Sequence, residues 1–360
     1  MKTHHLLQLL LPALTLASVS ADTIEMKDGT KYEGTVVKKD GDDYIVEVQV
    51  TKSIKDERRI PKASVARIVA EDKSETGFAE VAALVPVPDL TPAAEYEARV
   101  AKAEAFLKGY KEAKHKVELQ KIVDTLGNES NVISAGGVKF GGKLLTADQR
   151  KPTAYTLDSQ IAFANVKRLA ASGNTVGALR AWSNFEKDFL GSEAYREGVP
   201  FAISLMQGQL AVVTEMAKNA DSMVKQREEG LKGMSDQQRS RSRVAIEEEM
   251  DDYKKIAEAE KAAQNGSGGS SKWLTLNPYV KGPLDDTKRT LASEIQRLQG
   301  LSTSSLPKGD DAYTQAWEGL HKEGATKQQI TAALSVARNA YLPKPYIDLL
   351  VESSPIPIDK

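Results

Sequence analysis

The sequence predicts a multidomain chain: a small N-terminal β-barrel followed by a mainly α-helical region of helical hairpins. Three observations carry this reading. Apolar residues alternate with a period of two from Asp22 to about Asp72, then recur at spacings of three and four over most of the remainder. The 360 residues exceed what a single hydrophobic core usually organises. Prolines around Pro88 and glycines around Gly268 punctuate the pattern. The expected divisions are a signal peptide over 1–21, the barrel over 22–74, a Pro-rich linker over 75–92 and a helical region over 93–230 with a Gly-rich hairpin near 136–145. A charged helix over 231–263, a Gly/Ser linker over 264–272 and a C-terminal helical region over 273–360 complete the chain.

The leader comes first. Lys2 gives a positive start, Leu6 to Ala17 form a Leu/Ala-rich apolar stretch, and Val19-Ser20-Ala21 places small residues ahead of Asp22. That arrangement predicts a secretory signal peptide cleaved after Ala21 and a periplasmic or secreted product. No later segment approaches the length of apolar chain that a membrane span needs, so no membrane insertion is expected.

Composition narrows the chemistry. Forty-nine Lys and Arg face fifty Asp and Glu, a net charge of −1, which gives no global attraction to nucleic acid or acidic lipid. With no cysteine there is no disulfide framework, thiolate metal site or cysteine nucleophile. Of four histidines, His4 and His5 lie in the leader, leaving His115 and His321.

Within the barrel segment, Ile24 and Met26 alternate with polar neighbours, and Asp28-Gly29 signals a hairpin. Tyr32 and Val36 continue the period, and Gly34 marks a bulge or a close approach of strands. After Asp40-Gly41-Asp42, Tyr44, Val46, Val48 and Val50 give the clearest alternation in the chain. Arg58-Arg59-Ile60-Pro61 ends a fourth strand, and Val65 to Val69 form a fifth. Strands this short bury little as an open sheet, so curling is expected. The residues Ile24 to Gly29, Gly34-Thr35-Val36 and Arg59 to Lys62, with Val65 and Ile68, resemble SH3-like or Sm-like small barrels. The Sm resemblance implies RNA binding. Here, however, Lys52, Lys55, Arg58 and Arg59 are interleaved with Asp56 and Glu57 and lack an aromatic stacking platform, so a solvated loop is expected and no nucleic-acid partner.

The prolines of Val85 to Pro92 bias the chain away from helix, and Thr91-Pro92 suits a helix start. Pro86-Val87-Pro88-Asp89-Leu90 resembles the signature of an uncharacterised secreted bacterial family named for a Pro-Thr-Pro-Asp-Leu (PTPDL) motif, with Val87 in place of Thr. The resemblance implies this architecture and no known activity.

Tyr96, Val100, Ala103, Leu107, Tyr110 and Val117 predict one long helix from Ala93 to Leu126, stopped by Gly127-Asn128. Gly136-Gly137 and Gly141-Gly142 bracket a tight hairpin, and Thr146 starts the next helix. From Ser159 to Met223 the texture resembles tetratricopeptide repeats. Ile161, Val166 and Leu169 mark one helix, Gly173-Asn174 the turn, and Leu179, Trp182, Phe185 and Phe189 the return. Leu320, Gly324, Ala333-Leu334 and Ala337 echo this before Tyr341 and Pro343. Ordinary antiparallel helical hairpins account for the same pattern. Between them, Arg239-Ser240-Arg241-Ser242-Arg243 precedes Glu247, Glu248, Glu249, Asp251 and Asp252, with Arg243 and Glu247 spaced to pair on a helix. The stretch reads as a solvated helix or, functionally, a partner surface. The following Gly/Ser run is expected to isolate the last ninety or so residues.

Two constellations invite chemistry. Gly137 to Lys143 fits a phosphate-binding loop through its lysine, but Leu144 stands where a hydroxyl must hold magnesium, and the preceding strand is too short. Glu112-x-x-His115 and Glu318-x-x-His321 have the spacing of ferritin-like metal ligands, yet Lys111, Lys114 and Lys116 surround the first. No catalytic, cofactor-binding or metal-binding residues are therefore assigned, and no cofactor is expected. The expected function is that of a non-enzymatic interaction or scaffold protein of the bacterial envelope with protein partners. The alternatives are a cell-wall or polysaccharide hydrolase using carboxylates, and an Sm-like RNA binder.

Overall fold

The computed structural model describes residues 22–51, 54–69, 73–110, 114–266 and 272–357. The leader at 1–21 and residues 267–271 of the Gly/Ser stretch lie outside the described residues. The chain divides into two compact units at Leu144/Leu145.

The first unit opens with β1 (Asp22–Met26), β2 (Lys31–Asp40), β3 (Asp43–Thr51), β4 (Ile54–Pro61) and β5 (Val65–Val69). They form an antiparallel sheet in the order β4-β3-β2-β1-β5, curled into a half-barrel. Alternation places Ile24, Val46 and Ile60 inside, packed with Tyr32, Tyr44, Val65 and Ile68. Gly34 is the point of close approach: a Cβ there would stand 2.5 Å from the Glu47 carbonyl oxygen. The bulge falls three residues later, where the β2–β3 register shifts between Val36 and Lys38 and leaves Val37 exposed. Asp56 and Glu57, expected in a loop, belong with Arg58 and Arg59 to β4, an edge strand whose end at Pro61 falls where the sequence predicts it. Charged side chains and a terminal Pro61 discourage further strand addition at such an edge.

Helix α1 (Lys73–Ala82) occupies the start of the stretch read as a linker. The single helix expected over Ala93–Leu126 is two, α2 (Ala93–Gly109) and α3 (Lys116–Ser134). The break comes where Tyr110 takes an extended backbone and buries its ring in a core with Tyr96, Leu119, Ile122 and Leu126. Gly127-Asn128 does not end α3, because Ser130 and Ile133 continue its buried stripe. Strands β6 (Val138–Phe140) and β7 (Lys143–Leu145) form the Gly-rich hairpin.

The second unit contains α4 (Ala147–Arg150), α5 (Ala154–Ala171), α6 (Thr175–Phe189), α7 (Glu193–Lys232), α8 (Asp236–Gly266), α9 (Lys281–Gln299), α10 (Gly309–Leu320), α11 (Lys327–Asn339) and α12 (Lys344–Glu352). The hairpins α5–α6 and α10–α11 lie where their spacing predicts. Asn174 caps α6 by accepting from the Gly177 N–H, and Thr326 with Gln329 forms a capping box on α11. No helix among the described residues is long and apolar enough to cross a membrane.

The last ninety or so residues are not isolated. Phe163, Leu179, Trp182 and Phe185 share one continuous core with Leu291, Tyr313, Leu334 and Leu350. Trp273, 3% exposed, fastens the returning chain: its indole N–H donates to Ser183 Oγ at 2.9 Å, and its carbonyl accepts from Arg180 Nε at 2.7 Å. Large-to-small replacement in such a site costs about 3–5 kcal/mol. Trp273→Ala is therefore expected to lower urea stability by about that amount, with probes on α5–α6 and on α10–α11 losing structure together. Independent transitions of the two hairpins would show that the core is not shared.

Candidate functional site

The residues singled out by sequence are mostly engaged within the fold. Glu112 lies outside the described residues. His115 stacks on Phe78, with ring centroids 3.9 Å apart, and its Nε2 lies 3.1 Å from Glu75. His321 stacks on Trp317, its two ring nitrogens facing the carbonyl oxygens of Trp317 and Ser353 at 2.9 and 3.0 Å. The two Glu-x-x-His segments belong to different units. Among the described residues no cluster of three or more His, Asp or Glu could hold a metal ion.

The Pro-rich motif and the Gly-rich loop prove to be each other's partners. Gly141 and Gly142 both adopt positive φ in the β6–β7 turn, and the Gly142 N–H donates to the Asp89 carboxylate at 3.1 Å. Leu90 N–H donates to the Lys139 carbonyl at 2.9 Å, and Val87 is buried. Lys139, itself buried, donates to both oxygens of Glu129 at 2.8 and 3.0 Å, and Glu129 also accepts from the Tyr96 hydroxyl at 2.8 Å. The loop N–H that a phosphate-binding loop would turn on a nucleotide here meets an internal carboxylate, and the motif's own lysine, Lys143, is an exposed residue of β7 rather than the start of a helix.

Three carboxylates of the second unit, Glu186, Glu294 and Glu260, are also fastened. Arg297 bridges Glu186 and Glu294, each at 2.8 Å, and Lys272 reaches Glu294 at 2.7 Å. Burial alone would raise the Glu294 carboxyl, but hydrogen bonds from Lys272 and Arg297 outweigh it and hold the group below its ordinary value. Glu260 behaves alike: desolvation opposes, yet Arg180 and the N–H and hydroxyl of Thr275 win. A general acid near neutral pH needs the opposite displacement.

What stands out is the hairpin of α7 and α8. Helix α7 runs for 40 residues. Up to Ala220 it buries Val199, Ala202, Met206, Val213 and Ala217 in the core, largely against α9. The Lys281–Asp221 ion pair, at 3.1 Å, marks where α9 begins beside it. Beyond that point, among the described residues, α7 meets α8 through Arg227–Glu249 and the segment before α9 through Arg227–Tyr279. Half-buried residues on α7 beyond Asp221 fall at Met223, Val224, Arg227 and Leu231; those on α8 fall at Arg239, Ser242, Ile246, Glu249, Met250, Tyr253, Ala257 and Glu260. Met223 and Met250 apart, these are the three- and four-residue steps of an antiparallel coiled coil, with polar residues at several seam positions. Arg227 locks the base, stacking over Tyr279 at 3.4 Å and pairing with Glu249 at 2.6 Å. Arg239 ends the turn by donating to the carbonyls of Leu231 and Met234. The expected Arg243–Glu247 pair does not form; the cross-helix pair Arg227–Glu249 takes its place.

One flank of α8, bordering the seam at Glu249 and Tyr253, carries a shallow groove of about 450 Å³ lined also by Ala245, Glu248, Asp252 and Ile256. These residues share one helical face. Ile256, 44% exposed, makes this flank apolar in part, and Glu248 and Asp252 make it acidic. Comparison with known proteins finds no family model, no curated protein and no solved structure that matches this chain.

The fastened carboxylates have a pH signature. Glu294 and Glu260 titrate lower in the folded chain than their ordinary 4.5, so they add stability above that value and lose it as pH falls through their folded values. The urea midpoint is expected to decline below about pH 5. Glu294→Gln should lower the midpoint at neutral pH and flatten that decline; a decline as steep as the parent's would contradict the assignment.

Proposed function

We propose that the chain is a non-enzymatic interaction protein of the bacterial envelope, exported with cleavage after Ala21, whose α7–α8 arm grips a protein partner. The observation that carries the reading is the acidic, partly apolar stripe on the flank of α8, where Glu248, Asp252 and Ile256 are exposed. An amphipathic partner helix bearing apolar residues at spacings of three and four, flanked by Lys or Arg, complements it in shape and charge. The coiled-coil arm gives such a partner a rigid ledge, and the shared core behind it anchors the ledge. The curled sheet, read as an SH3-like or Sm-like barrel, supplies a second surface, and the Pro86 to Leu90 motif supports kinship with the secreted PTPDL family.

The test uses the full chain and a variant altered only at exposed positions, Asp252→Lys with Ile256→Asp. The parent is expected to retain a reproducible partner from an envelope fraction, to bind that partner after purification, and to release it as salt rises. The variant should melt like the parent and bind at least tenfold more weakly. Natural protein should begin at Asp22. Equal binding by the variant would remove the arm from the account, and intact Met1 on cytoplasmic material would remove the envelope.

A further inference from the structure

Tyr341 has a conformation and an exposure that packing does not explain. It follows α11 with φ +55°, the left-handed region, and the pattern around it is a Schellman ending: Leu342 N–H donates to the Ala337 carbonyl and Tyr341 N–H to that of Arg338. Glycine ordinarily fills this position, because a side chain there crowds its own backbone. Tyr341 is nonetheless 86% exposed, and its ring stacks on no other aromatic ring among the described residues. It stands over a groove of about 600 Å³ between the start of α10 and the end of α11.

The groove's chemistry is mixed but nearly neutral. Pro307, Val336 and Tyr341 supply apolar surface, with Val336 38% exposed. Asp311 and Gln315, four apart on α10, and Asn339 at the end of α11 present a carboxylate and two amides. Among the described residues none of these three side chains is spent on a hydrogen bond or ion pair. One Lys308 balances one Asp311. An exposed aromatic face beside uncharged donors and acceptors suits a ligand with an apolar C–H face and many hydroxyls. A nucleic acid or acidic polymer would call for more cations.

We infer that this groove binds a neutral oligosaccharide, one sugar ring stacking on Tyr341 while Asp311, Gln315 and Asn339 hydrogen-bond its hydroxyl or amide substituents. The site is separate from the α8 stripe and does not depend on it.

Titration calorimetry and ligand-detected NMR test this with three probes: N-acetylchitotetraose, cellotetraose and a proline-rich octapeptide. At least one saccharide is expected to bind saturably, and the Asp252→Lys/Ile256→Asp variant to bind it equally well. Tyr341→Phe should keep the affinity within about threefold, whereas Tyr341→Gly should weaken it at least tenfold. Because glycine accepts the left-handed backbone, Tyr341→Gly should also melt at the parent's temperature or about 1–4 °C above it, separating loss of binding from loss of fold. Binding of the peptide alone, of no probe, or of a saccharide with undiminished affinity in Tyr341→Gly overturns the inference.

Discussion

One helix sets the terms for the second unit. At 1.5 Å per residue the 40 residues of α7 span about 60 Å, more than a core of this size buries along its whole length. The helix therefore changes company part-way. Small and apolar residues up to Ala220 let α9 and the α5–α6 hairpin pack closely; Gly198 leaves no room for a Cβ, which would come within 2.8 Å of the Trp182 ring. Past Asp221 the helix is dressed by α8, and the seam admits Arg227, Ser242 and Glu249 because it is only half buried. A hairpin anchored in this way presents the exposed flank of α8 as a defined surface.

A second theme is the use of charge as an internal fastener. Asp89 holds the Gly142 N–H, Lys139 and Glu129 neutralise each other under the α2–α3 pair, and Asp310 accepts from both Thr156 and the Glu193 N–H at the start of α7. Arg196 donates to the carbonyls of Pro307 and Leu306 and ties the same α7 terminus to the loop before α10. Such contacts add specificity more than stability, since each charge gives up solvation to make them. They also show how some of the chain's many carboxylates are used to hold the fold together.

The parts of this architecture that could be read from sequence are those decided locally. Tyr44, Val46 and Val48 show their strand by alternation alone, and Asp28-Gly29, Gly173-Asn174 and Thr146 place turns and a cap through chemistry confined to a few residues. Misreadings arise where distant contacts decide. Tyr110 breaks the expected long helix because its ring has a core to enter, and Gly127 fails to stop α3 because Ser130 and Ile133 remain buried. The docking of Pro86 to Leu90 on the glycine turn spans 53 residues between Asp89 and Gly142, and that of Trp273 on Ser183 spans 90. The arm was visible only as charge. Its seam mixes Arg, Ser and Glu with Ile and Tyr, so a count of apolar periodicity passes over it, and the exposed Tyr341 is recognisable only once its backbone is known.

The claim most central to this account is that α7 is one helix in two environments, a core half and an arm half. Residue-resolved hydrogen exchange measures this directly. Amides from Val199 to Ala220 are expected to exchange only through global unfolding, and those from Val224 to Leu231, with Arg239 to Glu248 on α8, through a cheaper opening of the arm alone. Uniform protection along the whole of α7 would contradict it, because the arm would then be part of the core and no independent ledge for a partner.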